Sequence, residues 1–228
     1  MPRRTFEQEK ARLKKEVLSL GSMVEEALVD AVDALVRGDR ERARQIVRDD
    51  VFVNEKRMTL ELDTLALIAT QQPMASDLRA LAAVLEIITE LERIGDYAKG
   101  IAKICLNLEG QPLVFPSDLL MEMTQKATDM LRRSLEIFMR QDVEAARDLP
   151  REDDEVDVLY DQVYRMVVMG SHTDPEHMDQ ASLILWAAHN LERTADRVTN
   201  ICERIVFTGT GEMTELDWNP DHLAALAR

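Results

Sequence analysis

Leu91-Glu92-Arg93-Ile94-Gly95-Asp96 and Leu191-Glu192-Arg193-Thr194-Ala195-Asp196, 100 residues apart, share the pattern LERxxD. Leu85 with Leu185 and Ile101 with Ile201 keep the same offset. Earlier in the chain the offset is 103: Asp39 matches Asp142, Arg44 matches Arg147, Arg48 matches Arg151, Asp50 matches Asp153, Val53 matches Val156, and Asn54 meets Asp157. Self-similarity over so long a period means a duplicated unit. A change of three in the offset is what a shortened connection before the last element of the second copy produces.

Around both hexapeptides apolar residues recur at spacings of three and four, the helical period. The spacing predicts helices over Phe6–Arg37, Arg40–Thr70, Met74–Leu108, Ser117–Arg140, Val143–Gly170 and Pro175–Phe207. Gly38-Asp39, Gln71-Gln72-Pro73 and Gly110-Gln111-Pro112 separate them, and Asp174 before Pro175 suits a helix start. Pro150 removes an amide donor and is expected to kink or interrupt the fifth helix. The expected fold is all-α: two tandem three-helix bundles related by the repeat, over residues 1–110 and 111–210, with a tail at 211–228.

Composition agrees with long helices. The 228 residues include only 8 Gly and 7 Pro, too few turns for a sandwich or barrel, and 46% are apolar, enough for a packed core. With 12 Met and 4% aromatics, that core is built mainly from aliphatic side chains and methionine. Lys plus Arg number 28 against 43 Asp plus Glu, a net charge of −15 that repels phosphate backbones and anionic lipid heads. Nucleic acid is therefore not an expected partner, and a membrane is expected only peripherally, through other proteins. Cations and basic protein surfaces remain. Cys105 and Cys202 form no CxxC pair or disulfide framework, which fits a reducing compartment. The basic amino end lacks the apolar segment of a secretion signal, and no window holds the ~18 apolar residues of a membrane span.

The chemistry sits on the repeated hexapeptides. A seam through Leu81, Leu85, Ile88, Glu92 and Gly95 turns Glu92 inward, with Asp96 one helical turn on. Ala181, Leu185, Ala188, Glu192 and Ala195, followed by Asp196, repeat it. On the second helix of the first unit, Val47, Asp50, Asn54, Glu61, Leu65 and Ile68 form the corresponding row; its counterpart carries Asp153 and Asp157, with Tyr164 in place of the glutamate. A single Glu-x-x-x-Asp is an ordinary solvated helix face flanked by arginines such as Arg93 and Arg193. Recurrence in register, with acids on a second helix in both copies, favours a cation instead. Ionised carboxylates in a helical interface must be neutralised by protons, Arg or an ion, and four or more oxygen donors suit hard cations such as Mg²⁺, Ca²⁺, Mn²⁺ or Fe³⁺. The expected metal ligands are Asp50, Asn54, Glu92 and Asp96 in one copy and Asp153, Asp157, Glu192 and Asp196 in the other. Gly95 and Ala195 leave room for a close backbone or ion, although packing explains them equally well.

Other motifs are weaker. His172, His177, His189 and His222 lack zinc-binding spacing; His189 precedes Glu192 by three residues, the reverse of the di-iron Glu-x-x-His order, and has Thr89 as its counterpart. His189 is expected to supply at most one extra ligand. No GxxxxGK loop, no GxSxG elbow and no cysteine with a histidine base occur, so standard nucleotide-hydrolase or nucleophile chemistry has no support.

The duplicated LERxxD motif, Gln72-Pro73 through Asp77-Leu78-Arg79, Glu92 through Asp96, Glu192 through Asp196 followed by Thr199-Asn200-Ile201, and the stretches Asp50 to Asn54 and Asp153 to Asp157 together resemble the PhoU family of bacterial phosphate-regulation proteins over nearly the whole chain. The resemblance implies two three-helix bundles with mononuclear or multinuclear metal (Fe, or Zn, Mg or Mn) at the acidic pairs. It further implies a cytoplasmic, often dimeric regulator that is not an enzyme. That regulator damps high-affinity phosphate uptake through the Pst ABC transporter, whose ATPase subunit is one implied partner, and restrains a phosphate-sensing histidine kinase, the other. The second copy departs from the usual motif at Thr194-Ala195 but keeps both acids. Tyr164 opposite Glu61 suggests that the two sites differ in nuclearity or occupancy. The competing readings are a metal-dependent carboxylate-cluster enzyme, an oxidase or phosphohydrolase, and a purely structural bundle.

Overall fold

The computed structural model describes residues 2–111, 113–115, 117–173 and 178–216. Helix α1 (Pro2–Arg37) ends at Gly38, whose φ of 68° lets its amide bond the Leu35 carbonyl at 3.3 Å while the Asp39 amide bonds Ala34 at 2.8 Å. The Asp39 carboxylate then accepts from the Arg42 amide at 2.9 Å and caps α2 (Arg40–Gln71). The second copy repeats the construction. Helix α4 (Ser117–Arg140) ends at Gln141, φ 55°, with the Gln141 and Asp142 amides bonded to Phe138 at 3.4 Å and Ile137 at 3.3 Å. Asp142 accepts from the Ala145 amide at 3.1 Å and caps α5 (Val143–Asp148). The offset of 103 thus records a shared capping turn.

Helix α3 spans Ser76–Asn107 and α7 spans Met178–Thr210. The predicted fifth helix is divided, as Pro150 requires, into α5, a 3₁₀ turn at Leu149–Glu152 and α6 (Asp153–Thr173). The predicted Asp174–Pro175 start lies outside the described residues. Among the described residues no helix is long and apolar enough to cross a membrane.

Helices α1, α2 and α3 pack on one another, and α4 and α7 pack on each other and on both α5 and α6; α3 against α7 and α1 against α4 join the two sets. One apolar core runs through both bundles. The central helices α3 and α7 are buried most completely, with Leu81, Ile87, Ile88, Leu91, Ile94 and Ile101 of α3 all fully enclosed. Gly95 sits at a close approach of α3 to α2 and α1. A Cβ there would lie 3.1 Å from Val53 Cγ1 and 3.4 Å from Val24 Cγ1, so the absent side chain admits apolar groups of α2 and α1.

Polar contacts between α3 and α7 reveal how the copies relate. Glu90, only 8% exposed, accepts from Arg197 Nη1 at 3.2 Å and Asn200 Nδ2 at 3.1 Å. Its repeat equivalent Asn190 is buried against Gly100, with Nδ2 3.5 Å from the position a Cβ would take. The Arg193 guanidinium lies 5.8 Å from the Tyr97 ring centroid. Position 90 of one copy meets position 100 of the other, and the reverse holds, the reciprocity that a two-fold axis imposes on an antiparallel pair.

On α2 the inward row differs from the expected one. Ala43, Ile46, Asp50, Val53, Leu60, Thr64 and Leu67 are buried, whereas Leu65 is exposed and Glu61 is turned aside to Arg57 at 2.8 Å. Tyr164 on α6 is likewise exposed. Helix α2 has leucines on both faces, so periodicity alone cannot choose between rows one residue apart; the packed row is the one that meets α3.

Removing the acid at the inter-copy contact leaves Arg197 enclosed without its closest partner. Glu90→Ala is expected to cost about 3 kcal/mol, as loss of one member of a buried ion pair does, and Glu90→Gln clearly less. Urea unfolding midpoints measure both.

Candidate functional site

The eight predicted acids and amides fall into two clusters at equivalent places, one between α2 and α3 and one between α6 and α7. In the first, the Asp50 side chain is buried. Its Oδ2 receives the Lys99 ammonium at 2.6 Å and the Asn54 Nδ2 at 3.0 Å. Lys99 also lies 3.7 Å from Asp96 Oδ1. The bond to Asp50 raises the Lys99 pKa against its partial desolvation. Glu92 is raised by burial and then by the charge of Asp96, with Arg57 opposing and Asp50 adding a little. Asp96 is half exposed and sits at the rim, less enclosed than the seam predicted.

The second cluster has the same acids and different company. Burial pushes the Asp153 carboxyl up to about 7, and the charges of Asp157, Asp196 and Glu192 add to that push. Asp153 Oδ1 is enclosed without a hydrogen-bond partner. Glu192 is also raised, by burial and then by Asp196, with His189 opposing. Glu192 Oε2 lies 3.1 Å from His189 Nδ1 yet out of hydrogen-bonding alignment. Asp196, at the partly open rim, has Arg197 at 4.0 Å. Tyr160 lines the same place: its hydroxyl is raised by burial and by Glu192, and its ring centroid is 6.2 Å from that of His189. Thr199, 3% exposed, stands where the first copy has Lys99, and its Oγ1 has no partner.

Sequence reasoning found the acids and missed what surrounds them. Applying the same offsets to the cations would have exposed the difference: Lys99 becomes Thr199, and Arg57 becomes Tyr160. Among the described residues no three His, Cys, Asp or Glu side chains already converge at ligand distances. The donor chemistry of the second cluster nevertheless suits a hard cation, because two of its carboxylate oxygens are buried and unsatisfied. Asp153, Asp157, Glu192 and Asp196 would hold such an ion, which would add its positive charge to that of Arg193 and Arg197 nearby. The His172 side chain is not described, and His177 and His222 lie outside the described residues.

A cavity of about 310 Å³ opens beside Asp50, lined in part by Met23, Asp30, Arg42, Phe52 and Gly95. Arg42 is paired to Asp30, and the lining contains no serine, cysteine or histidine. The two cysteines are elsewhere, buried and free, with burial raising the Cys202 thiol to about 12 and leaving it un-ionised.

Both clusters lie within segments that match a known domain: residues 17–105 and 120–205 each match the PhoU domain. The chain belongs to the PhoU family. A phosphate-specific transport system accessory protein PhoU homolog from Clostridium acetobutylicum is 32% identical over 218 residues, 95% of this chain and all of that one. The PhoU accessory protein of Escherichia coli K12 is 32% identical over 91% of this chain and 86% of its own length. The crystal structure of the phosphate transport system regulatory protein PhoU from Streptococcus pneumoniae superposes with a TM-score of 0.84 at 32% identity, covering 92% of this chain and 99% of that one. PhoU from Pseudomonas aeruginosa gives 0.85 at 28% identity, over 91% and 100%. The double PhoU match and these structures bear out the all-α duplicated fold.

The raised Asp153 carboxyl has a pH signature in the metal-free protein. Unfolded, the group ionises near 3.8; folded, near 7. The folded state therefore binds more protons between those values, and this group's charging penalty grows as pH rises through that window. In chelator, Asp153→Asn is expected to be the more stable form at pH 8, by on the order of 1 kcal/mol. The advantage should vanish near pH 4. Thermal melts of both proteins across the range measure the difference.

Proposed function

We propose that this PhoU-family protein is a cytoplasmic regulator of phosphate homeostasis. It acts through protein contacts to damp high-affinity phosphate uptake by an ABC transporter and to restrain the associated two-component signalling. The observation that carries this reading is the double PhoU match over nearly the full chain, together with relatives named as accessory or regulatory proteins of phosphate transport. The partners are the transporter's ATPase subunit and a phosphate-sensing histidine kinase, and the working form is a homodimer. Long acidic helices and apolar side chains left on the outer face of α2, at Val51, Met58, Leu62 and Leu65, supply surface of the kind such contacts use.

Metal is part of the same reading. A divalent ion at the carboxylates stabilises the bundle by offsetting their repulsion. The metal-dependent enzyme reading finds less support: the cavity beside Asp50 is lined by no serine, cysteine or histidine.

Capture of the ATPase subunit or the kinase by the tagged protein, from cells grown in high phosphate, tests the regulatory reading. Loss of the gene should leave high-affinity uptake active when phosphate is plentiful. Failure to retain either partner at any phosphate level, with uptake unchanged, contradicts it. Purified protein should also carry stoichiometric metal, and reloading to a hundredfold over Kd should add about 2.7 kcal/mol of stability.

A further inference from the structure

We propose that the two copies have divided the handling of positive charge: Lys99 is a built-in counter-ion occupying the cation position of the first cluster, and only the second cluster, with Thr199 at that position, captures a hard divalent cation. The division rests on the metal reading above and narrows it to one copy.

Lys99 and Thr199 are both three residues beyond the last acid of the hexapeptide, and so lie on the same face of α3 and α7. In the first copy the ammonium sits 2.6 Å from Asp50 and 3.7 Å from Asp96, between the acids of α2 and α3. Arg57, one turn along α2 from Asn54, adds a second positive charge felt by Glu92, and Arg93 a third. Asn54 is neutral and spends its amide on Asp50. Arg57 is itself bonded to Glu61 at 2.8 Å, so the positive charge seated directly between the acids is the Lys99 ammonium.

The second copy lacks that ammonium. Asn54 has become Asp157 and Lys99 has become Thr199, so an acid is added and the bridging cation withdrawn, while the Arg57–Glu61 ion pair is replaced by Tyr160 and Tyr164. Arg193 remains near Glu192, and Arg197 stands 4.0 Å from Asp196 but closer to Glu90, at 3.2 Å. His189 lies beside Glu192. Against this residual positive charge stand four acids, with Asp153 Oδ1 enclosed and unpartnered. The independent pointer to a ligand is Thr199: more than nine-tenths buried, at the position of the first copy's cation, with a hydroxyl that bonds nothing in the protein. An oxygen donor there complements a hard ion, whereas an ammonium would exclude one.

Metal-free full-length protein equilibrated with Mn²⁺, and then measured for bound metal after gel filtration, tests the division. Wild type should bind Mn²⁺. D153N/D157N should reduce it at least tenfold, and D50N should leave it unchanged. K99T, which gives the first copy the second copy's residue, should gain at least one further equivalent, and T199K should fall to below a tenth of wild type. If K99T does not fold, the contrast between D50N and D153N/D157N in otherwise native protein still decides. Equal losses from D50N and D153N/D157N, or no gain in folded K99T, overturn the division while leaving metal binding intact. No bound Mn²⁺ in wild type or any variant overturns both.

Discussion

A carboxylate turned into a helical interface must meet a cation or a proton, because stranding an ionised one costs several kcal/mol. This protein does so twice, at equivalent places in a duplicated chain, and answers the requirement in two ways. Between α2 and α3 the answer is covalently attached: the Lys99 ammonium on Asp50, with Arg57 and Arg93 nearby. Between α6 and α7 the acids outnumber the neighbouring cations, so in the absence of an ion a proton must do the work, and the Asp153 carboxyl holds one to about pH 7.

The rest of the architecture keeps the two places equivalent while letting their chemistry diverge. Matching capping turns at Asp39 and Asp142 start the second rod of each bundle in the same register. The reciprocal contacts of Glu90 with Asn200 and of Asn190 with Gly100 bring α3 and α7 together about a pseudo-two-fold axis. The difference between the copies is concentrated beside the second cluster, where Pro150 breaks the rod and a 3₁₀ turn leads directly into Asp153. The corresponding place in the first copy is an unbroken stretch of α2 around Val47.

Much of this was legible in the residues. Helical spacing, the caps and the repeated hexapeptide lead to the duplicated bundles, and acids recurring at fixed offsets lead to the acidic faces of α2 with α3 and of α6 with α7. What periodicity cannot supply is rotation about a helix axis when both faces are apolar. That is why Leu65, expected inward, is exposed, and why Gly95 serves Val24 and Val53, a packing role the sequence left open beside an ion. Nor does a motif of acids register its counter-ions. Lys99 and Arg57 belong to no metal signature, and their importance emerges only when the ammonium is found on Asp50 and the same positions of the second copy are seen to hold Thr199 and Tyr160.

The most direct test of this account is the anomalous signal from a crystal of the protein soaked in Mn²⁺ and measured above the manganese edge. The account predicts a peak between α6 and α7, among Asp153, Asp157, Glu192 and Asp196, and no peak between α2 and α3, where the Lys99 ammonium stays on Asp50. Peaks of equal height at both places, or one at Asp50 with Lys99 swung away, contradict it.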